Sequence, residues 1–252
     1  MAASRWRLGI EEEGDAAAGH RPRFNIAPTD QHFIVTSEFE GRKAHRARWG
    51  LVNRCARDNS RSSRCINARA ETLEQGPTFR EAFQQRRCVV PADGFFEWSG
   101  PKDKRQPPWI HPRAGGLLLF AGLYESWYPE EDRPELTFTI VTCAANALIA
   151  ATHDRMPVVL DERAAEDWMN PRERDPLSLK RLLVQAPHDV LVMRPAAGEQ
   201  CQERGARTTS DGWAKFCVAL LTAHSPPRPF LDKDACTIAT LLCFDKSYLM
   251  LL

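Results

Sequence analysis

Two apolar, strand-like runs, residues 117–124 and 136–142, bracket a short polar stretch at 129–135. A pair of such runs separated by polar and proline residues reads as a β-hairpin. A hairpin supplies an antiparallel pair, which must bury one face against further strands or helices to be stable. The rest of the chain offers short pieces for that purpose. Residues 33–36, 88–91 and 190–193 read as strands, and Asp93-Gly94 as a turn. Residues 78–85 read as a short helix with Phe79 and Phe83 on one face. Asp161 is a suitable N-cap for a helix through Met169, and residues 177–185 form a second amphipathic segment. Strands with interspersed short helices and no regular βαβ alternation predict the α+β class.

At 252 residues the chain can bury a sizeable core, and its 43% hydrophobic and 27% charged content is that of a soluble globular protein. No apolar run approaches the ~20 residues that span a bilayer, and the start has no secretory-type apolar segment; a cytoplasmic protein without membrane contact is expected. The eight cysteines form no Cys-x-x-Cys pair and no Cys/His cluster at zinc spacing. They read as free thiols, with no metal and no cofactor expected. Net charge is +1, so electrostatics as a whole do not demand nucleic acid. The distribution is uneven, however. Residues 42–69 hold Arg42, Lys43, Arg46, Arg48, Arg54, Arg57, Arg61, Arg64 and Arg69 against Asp58 alone. Such a block suits a phosphate-binding surface, or simply a solvated basic loop.

Three motifs carry candidate chemistry. In Ile66-Asn67-Ala68-Arg69-Ala70-Glu71-Thr72 the period of two puts Asn67, Arg69 and Glu71 on one face of an extended segment. An amide, a guanidinium and a carboxylate suit sugar and phosphate recognition, with Glu71 orienting Arg69; a surface edge with an ion pair is the plain alternative. Asp93-Gly94-Phe95-Phe96-Glu97-Trp98 sets Glu97 among aromatics, where desolvation favours general acid/base work; alternatively Glu97 is exposed between buried rings. Thr152-His153-Asp154-Arg155-Met156-Pro157 places a proton-shuttling histidine two residues before a phosphate-clamping arginine, with Pro157 fixing the turn. A structural histidine is the plain alternative. No Gly-x-Ser-x-Gly elbow or phosphate-cradling glycine loop is present.

These motifs fall in order among others: Arg23-Phe24-Asn25-Ile26-Ala27-Pro28-Thr29, Trp49-Gly50-Leu51-Val52, Arg87-Cys88-Val89-Val90-Pro91, Phe120-Ala121-Gly122-Leu123-Tyr124-Glu125, Thr139-Ile140-Val141-Thr142 and Val158. Together they resemble the abasic-site-processing proteins, also called SOS-response-associated peptidases, over roughly residues 21–195. The resemblance implies a barrel-like, mostly antiparallel sheet with short flanking helices, and a monomer that binds single-stranded DNA at abasic sites. It implies removal of the initiator methionine, leaving an N-terminal cysteine. The amine and thiol of that cysteine condense with the sugar aldehyde to a thiazolidine crosslink. Asn67, Glu97 and His153 match the catalytic positions. Trp49, Arg69, Glu71, Arg155, Met156 and Pro157 match the DNA-contacting ones, with Trp49 available to stack on a base. Localisation is then cytoplasmic, and nucleoid-associated in a bacterium.

Two departures stand out. The chain begins Met1-Ala2-Ala3-Ser4 where the resemblance implies Met-Cys-Gly-Arg. Residues 1–20, acidic and Ala/Gly-rich over 9–20, then read as a diverged or misannotated leader, loose in structure. A catalytically inactive DNA-binding module or decayed copy is the alternative to an active enzyme. After residue 195 the sequence loses periodicity, and four of the cysteines fall within 201–252. One choice of codons for Gly198-Glu199-Gln200-Cys201-Gln202-Glu203-Arg204, read one base later, gives Val-Asn-Ser-Val-Lys-Asn-Glu, which resembles the segment the family carries there. Residues 196–252 are therefore expected to be a frameshifted tail outside the fold.

Overall fold

The computed structural model describes residues 25–38, 41–97, 107–130 and 133–195, with the backbone of residues 10–12 and 217–219. In chain order the strands are β1 (Ile10–Glu12), β2 (Gln31–Glu38), β3 (Gly41–Trp49), β4 (Asn67–Arg69), β5 (Arg87–Ala92), β6 (Gly94–Phe96) and β7 (Pro108–Pro112). They continue with β8 (Leu118–Glu130), β9 (Arg133–Ala144), β10 (Arg155–Pro157), β11 (Val159–Leu160), β12 (Leu191–Pro195) and β13 (Cys217–Ala219). Three short helices intervene: α1 (Arg80–Gln85), α2 (Glu162–Met169) and α3 (Pro176–Arg181).

The expected hairpin is the spine. β8 and β9 pair antiparallel, Gly122 opposite Ile140 and Tyr124 opposite Phe138, and the strands extend well into the polar stretch 129–135. Residues 131–132 of that stretch lie outside the described ones. β5 adds antiparallel to β8, β2 to β5, and β3 to β2. β3 then pairs with β9 in parallel, Arg48 opposite Thr137 and Trp49 opposite Phe138, and so closes the ring. Closure removes the exposed sheet edges that would otherwise invite aggregation. The result is an α+β fold built on a closed, mixed but mostly antiparallel barrel-like sheet. A second sheet runs β12–β7–β6–β13.

The core fills the barrel and the helix-covered outside of β5 and β8. Ile34, Trp49, Phe120, Leu123, Phe138 and Ile140 are fully or almost fully buried. Trp49 stacks on Phe138 at 6.2 Å between ring centres, and its Nε1–H donates to the Ile66 carbonyl at 2.8 Å. Gly50, at φ +130°, must be glycine on two counts: the backbone is left-handed, and a Cβ would lie 2.6 Å from the Ser62 oxygen. Asp161 caps α2 as expected, accepting from the Ala164 N–H at 2.8 Å. Buried Trp168 on α2 donates its indole N–H to the carbonyls of Cys88 and Gly122, so the helix is fastened to β5 and β8.

Arg87, at the start of β5, is buried and does not face solvent. Its guanidinium donates to the carbonyls of Phe83 and Gln84 at the end of α1 and of Trp168, Asn170 and Glu173 at and beyond the end of α2. A cation at two helix C-termini satisfies carbonyls that have no partner within their own helices. Burial pulls its pKa down to about 10, so it remains charged at neutral pH.

Several expectations need correction. The basic stretch 41–49 is a barrel strand, because Ala47 and Trp49 turn inward while arginines line the outer face. Some of that charge is already matched: Arg42 pairs with Glu166 at 2.9 Å and Lys43 with Glu38 at 3.1 Å. Helix α3 is shorter than 177–185. It starts at Pro176 behind the Asp175 cap and ends at Arg181. Residues 10–12 of the leader run as a strand parallel to β3. Of the expected outlying tail, Cys217–Ala219 pairs antiparallel with β6, which that expectation did not include. The remaining leader and tail positions, the loop over 101–106 and Trp98 lie outside the described residues.

Candidate functional site

The site is built around the C-terminal half of β9. One edge of this stretch carries β4 in parallel, with Asn67 opposite Ile140, Ala68 opposite Val141 and Arg69 opposite Thr142. The other edge carries β10, with Pro157 opposite Thr142 and Arg155 opposite Ala144. Two of the three sequence motifs thus flank one strand from opposite edges, β4 along residues 140–142 and β10 along 142–144, and they meet at Thr142. The short helical turn Ala70–Thr72 follows β4 directly and carries Glu71.

The link across β9 is a two-point ion pair. Arg155 Nη1 donates to Glu71 Oε1 at 2.7 Å and Nη2 to Oε2 at 2.9 Å. Nη2 also reaches the Thr142 carbonyl at 2.6 Å. This parallel geometry is the strong form of a guanidinium–carboxylate contact. The Arg155 hydrogen bonds hold the Glu71 carboxyl below the usual carboxylate range. Glu71 therefore orients Arg155, not Arg69 as the one-face pattern suggested. Arg155 spends three of its five N–H groups here, and its Nε–H is buried without an acceptor among the described residues. One Nη1–H is left for a ligand. Arg69 is exposed at the end of β4.

His153 precedes β10 in a turn, half-buried. Its Nδ1 lies 2.9 Å from the Arg155 N–H, 3.3 Å from the Arg155 carbonyl and 3.2 Å from Asp154 Oδ1. Asn67 is half-buried, and its Oδ1 is buried without a donor among the described residues. Burial also pushes the thiol of Cys143, next to Thr142 on β9, up to about 11, which makes it a poor nucleophile at neutral pH.

Glu97 lies just past β6 in the second sheet, with its N–H toward the Pro108 carbonyl at 3.4 Å. It is 0% exposed, between buried Phe95 and Phe96 on one side and the described end of the segment on the other. The alternative of an exposed glutamate between buried rings is excluded. Gly94 admits this path: a Cβ there would meet the Trp109 ring at 2.4 Å and the Ile110 carbonyl at 2.5 Å. The second sheet also touches the His153 turn, through Thr152 Oγ1 and Met193 Sδ on β12 at 3.8 Å.

Three expected DNA contacts are not surface groups. Trp49 and Met156 are 0% exposed, and Pro157 is buried. Trp49 occupies the barrel core against Phe138, so it cannot stack on a base. Met156 Sδ accepts from the Asn146 N–H at 3.4 Å inside the core. Hydrophobic groups beside polar motifs suit a ligand in sequence, whereas here they fill the barrel interior. Thr142, the hub between β4 and β10, carries no functional signal in the Thr139-Ile140-Val141-Thr142 run. Nothing local marks it, since its importance comes from pairing on both edges.

A small mixed β-barrel with a carboxylate–guanidinium–imidazole cluster at one end of its central strand defines the class of protein. The model of one family, SOS response associated peptidase (SRAP), matches residues 2–199, and the chain belongs to this family. It is 38% identical over 171 residues to the abasic site processing protein YoqW of Bacillus subtilis, covering 68% of this chain and 75% of that one. It is 33% identical over 147 residues to the abasic site processing protein YedK of Escherichia coli, covering 58% and 64%. Among solved structures, a protein from Bacteroides thetaiotaomicron aligns with a TM-score of 0.61 at 26% identity, covering 68% and 75%. A phage-related protein from Bordetella bronchiseptica aligns at 0.56 and 28%, covering 75% and 93%. Among the described residues no helix is long and apolar enough to cross a membrane, and no cluster of metal-ligating side chains is present.

Proposed function

We propose that this chain binds single-stranded DNA at abasic sites, acting as a monomer in the cytoplasm. The observation that carries the reading is the convergence of Asn67, Arg69, Glu71, His153 and Arg155 on one end of β9, within a family whose named relatives process abasic sites. In this reading Asn67, Glu97 and His153 surround the ring-opened sugar. Arg69 and the remaining Nη1–H of Arg155 meet flanking phosphates. The enclosed Glu97 carboxyl assists ring opening by moving a proton between the sugar oxygens, and His153 and Asn67 hydrogen-bond the hydroxyl and aldehyde oxygens. A domain of residues 21–195 carries the function.

The covalent step needs an amine and a thiol on one residue. The amine adds to the aldehyde carbon, water leaves to give an imine, and the thiol adds across that imine to close the ring. Residue 2 is Ala, and the described cysteines, Cys55, Cys65, Cys88 and Cys143, carry no α-amine. A second reading of the same site is a binding module that stops short of the thiazolidine. With Ala2 as the N-terminus, an α-amine of pKa ~8 could reach the imine only.

Two measurements test the proposal. Binding of an abasic single-stranded oligonucleotide should weaken with salt at a log–log slope near −0.7 per phosphate contact, for about three contacts. Salt-independent affinity would overturn it. On a denaturing gel no heat-stable adduct should form without reductant, and a borohydride-trapped adduct is the most that Ala2 permits. An adduct without reductant would refute the second reading.

A further inference from the structure

We propose that the peptide joining Asp154 to Arg155 fixes His153 as the tautomer with its proton on Nε2, and that Glu71 is the positioning residue that holds this peptide in place. Among the described residues, Nδ1 faces three groups. The Arg155 N–H donates to it at 2.9 Å. The Arg155 carbonyl, at 3.3 Å, and Asp154 Oδ1, at 3.2 Å, are acceptors. A proton on Nδ1 would meet the Arg155 hydrogen head-on, so the neutral ring accepts there and carries its proton on Nε2. Asp154 could compete for an Nδ1 proton, but its side chain is 84% exposed, and solvent weakens such a contact.

Three contacts hold that peptide still. The Asp154 carbonyl accepts from the Ala145 N–H at 3.0 Å. Arg155 pairs with Ala144 at the very start of a three-residue strand. The Arg155 side chain is anchored on Glu71 and on the Thr142 carbonyl. A strand this short frays readily from its first residue, and the Glu71 anchor opposes fraying where the His153 contact is made. The partner of a histidine's second nitrogen sets what its first can do. His153 thus enters the site as a hydrogen-bond donor, not as a base. That consequence rests on the abasic-DNA reading, where it places a donor against a sugar oxygen; the tautomer assignment does not.

Nitrogen-15 NMR of the full chain, with long-range proton–nitrogen correlation at mildly alkaline pH, reads the tautomer directly. His153→Gln identifies the signals by their loss. The wild-type chain should show His153 as the Nε2–H form. Asp154→Asn should leave that form unchanged. Glu71→Ala should let a tenth or more of the Nδ1–H form appear, and Glu71→Gln, which keeps one acceptor oxygen, should show less of it. A dominant Nδ1–H form in the wild type, its appearance in Asp154→Asn, or no change in Glu71→Ala would overturn the proposal. Abasic-oligonucleotide binding on the same samples separates the two readings. A tautomer shift in Glu71→Ala with no DNA binding by any sample keeps the positioning role and sinks the DNA reading. An unmoved tautomer with intact binding does the reverse.

Discussion

Replacing Arg87 by Met should destabilise the fold by about 3–4 kcal/mol while leaving the site's ligand binding intact at temperatures where the variant is folded. The guanidinium serves five carbonyls. Its bonds to Trp168 and Phe83 are fully buried; those to Gln84, Asn170 and Glu173 are partly so, and water can replace them. Each buried carbonyl left without a donor costs about 1–3 kcal/mol. Loss of a cation at two helix C-termini adds a few tenths to about 1 kcal/mol each. Against this, methionine buries apolar area and the guanidinium is no longer desolvated. In a chain of this size the net loss corresponds to a fall in melting temperature of about 6–16 °C. Lysine keeps the charge but has three donors on one nitrogen, so Arg87→Lys should lose roughly half as much. Equilibrium unfolding in urea measures both, provided the slope m is unchanged. A loss under about 1 kcal/mol for Met, or Lys as damaging as Met, would refute the view that Arg87 bridges the two helix ends.

Gly94→Ala should cost about 2–3 kcal/mol and weaken abasic-oligonucleotide binding, because the Trp109 ring and the Ile110 carbonyl occupy the Cβ position beside the Glu97 segment; an unchanged melt would show that the strand can shift freely. Trp49→Phe should lose about 1 kcal/mol, because the buried Ile66 carbonyl loses the indole donor but keeps the Ile140 N–H, with DNA affinity unchanged; a large, purely ligand-side defect would restore Trp49 to the interface. The Glu71 carboxyl is held low by Arg155. A depressed folded-state pKa stabilises above the unfolded carboxylate value and loses that contribution as pH falls through the folded one. The stability gap between wild type and Glu71→Gln should therefore be present at neutral pH and close in acid, and a gap that widens in acid would contradict the ion pair.

The features legible in the chain alone are local in origin. The β8–β9 hairpin, the Asp161-capped helix and the strand around Val89 all follow from short-range pattern and capping chemistry; at Asp93-Gly94 the chain bends only at Asp93, and Gly94 already opens β6. Burial of Glu97 does not follow in this way: neighbouring aromatics fit either an enclosed or an exposed carboxylate, and the second sheet encloses it. The same patterns, read in order, were enough to place the chain in its family. The tertiary structure alone decided the rest. Barrel closure through β3 and β9 was hidden because β3 is rich in arginine and only Ala47 and Trp49 mark its inner face. Trp49 went to the core because closure places it against Phe138. Glu71 pairs with an arginine 84 residues away, not the one two residues before it. Along one strand residues 69 and 71 would share a face, but the chain turns into a helical turn at Ala70. That turn swings the Glu71 carboxylate across the end of β9, where β10 presents Arg155. Which charges meet, and hence which nitrogen of His153 bears its proton, depends on two strands flanking a third, and no local pattern encodes that arrangement.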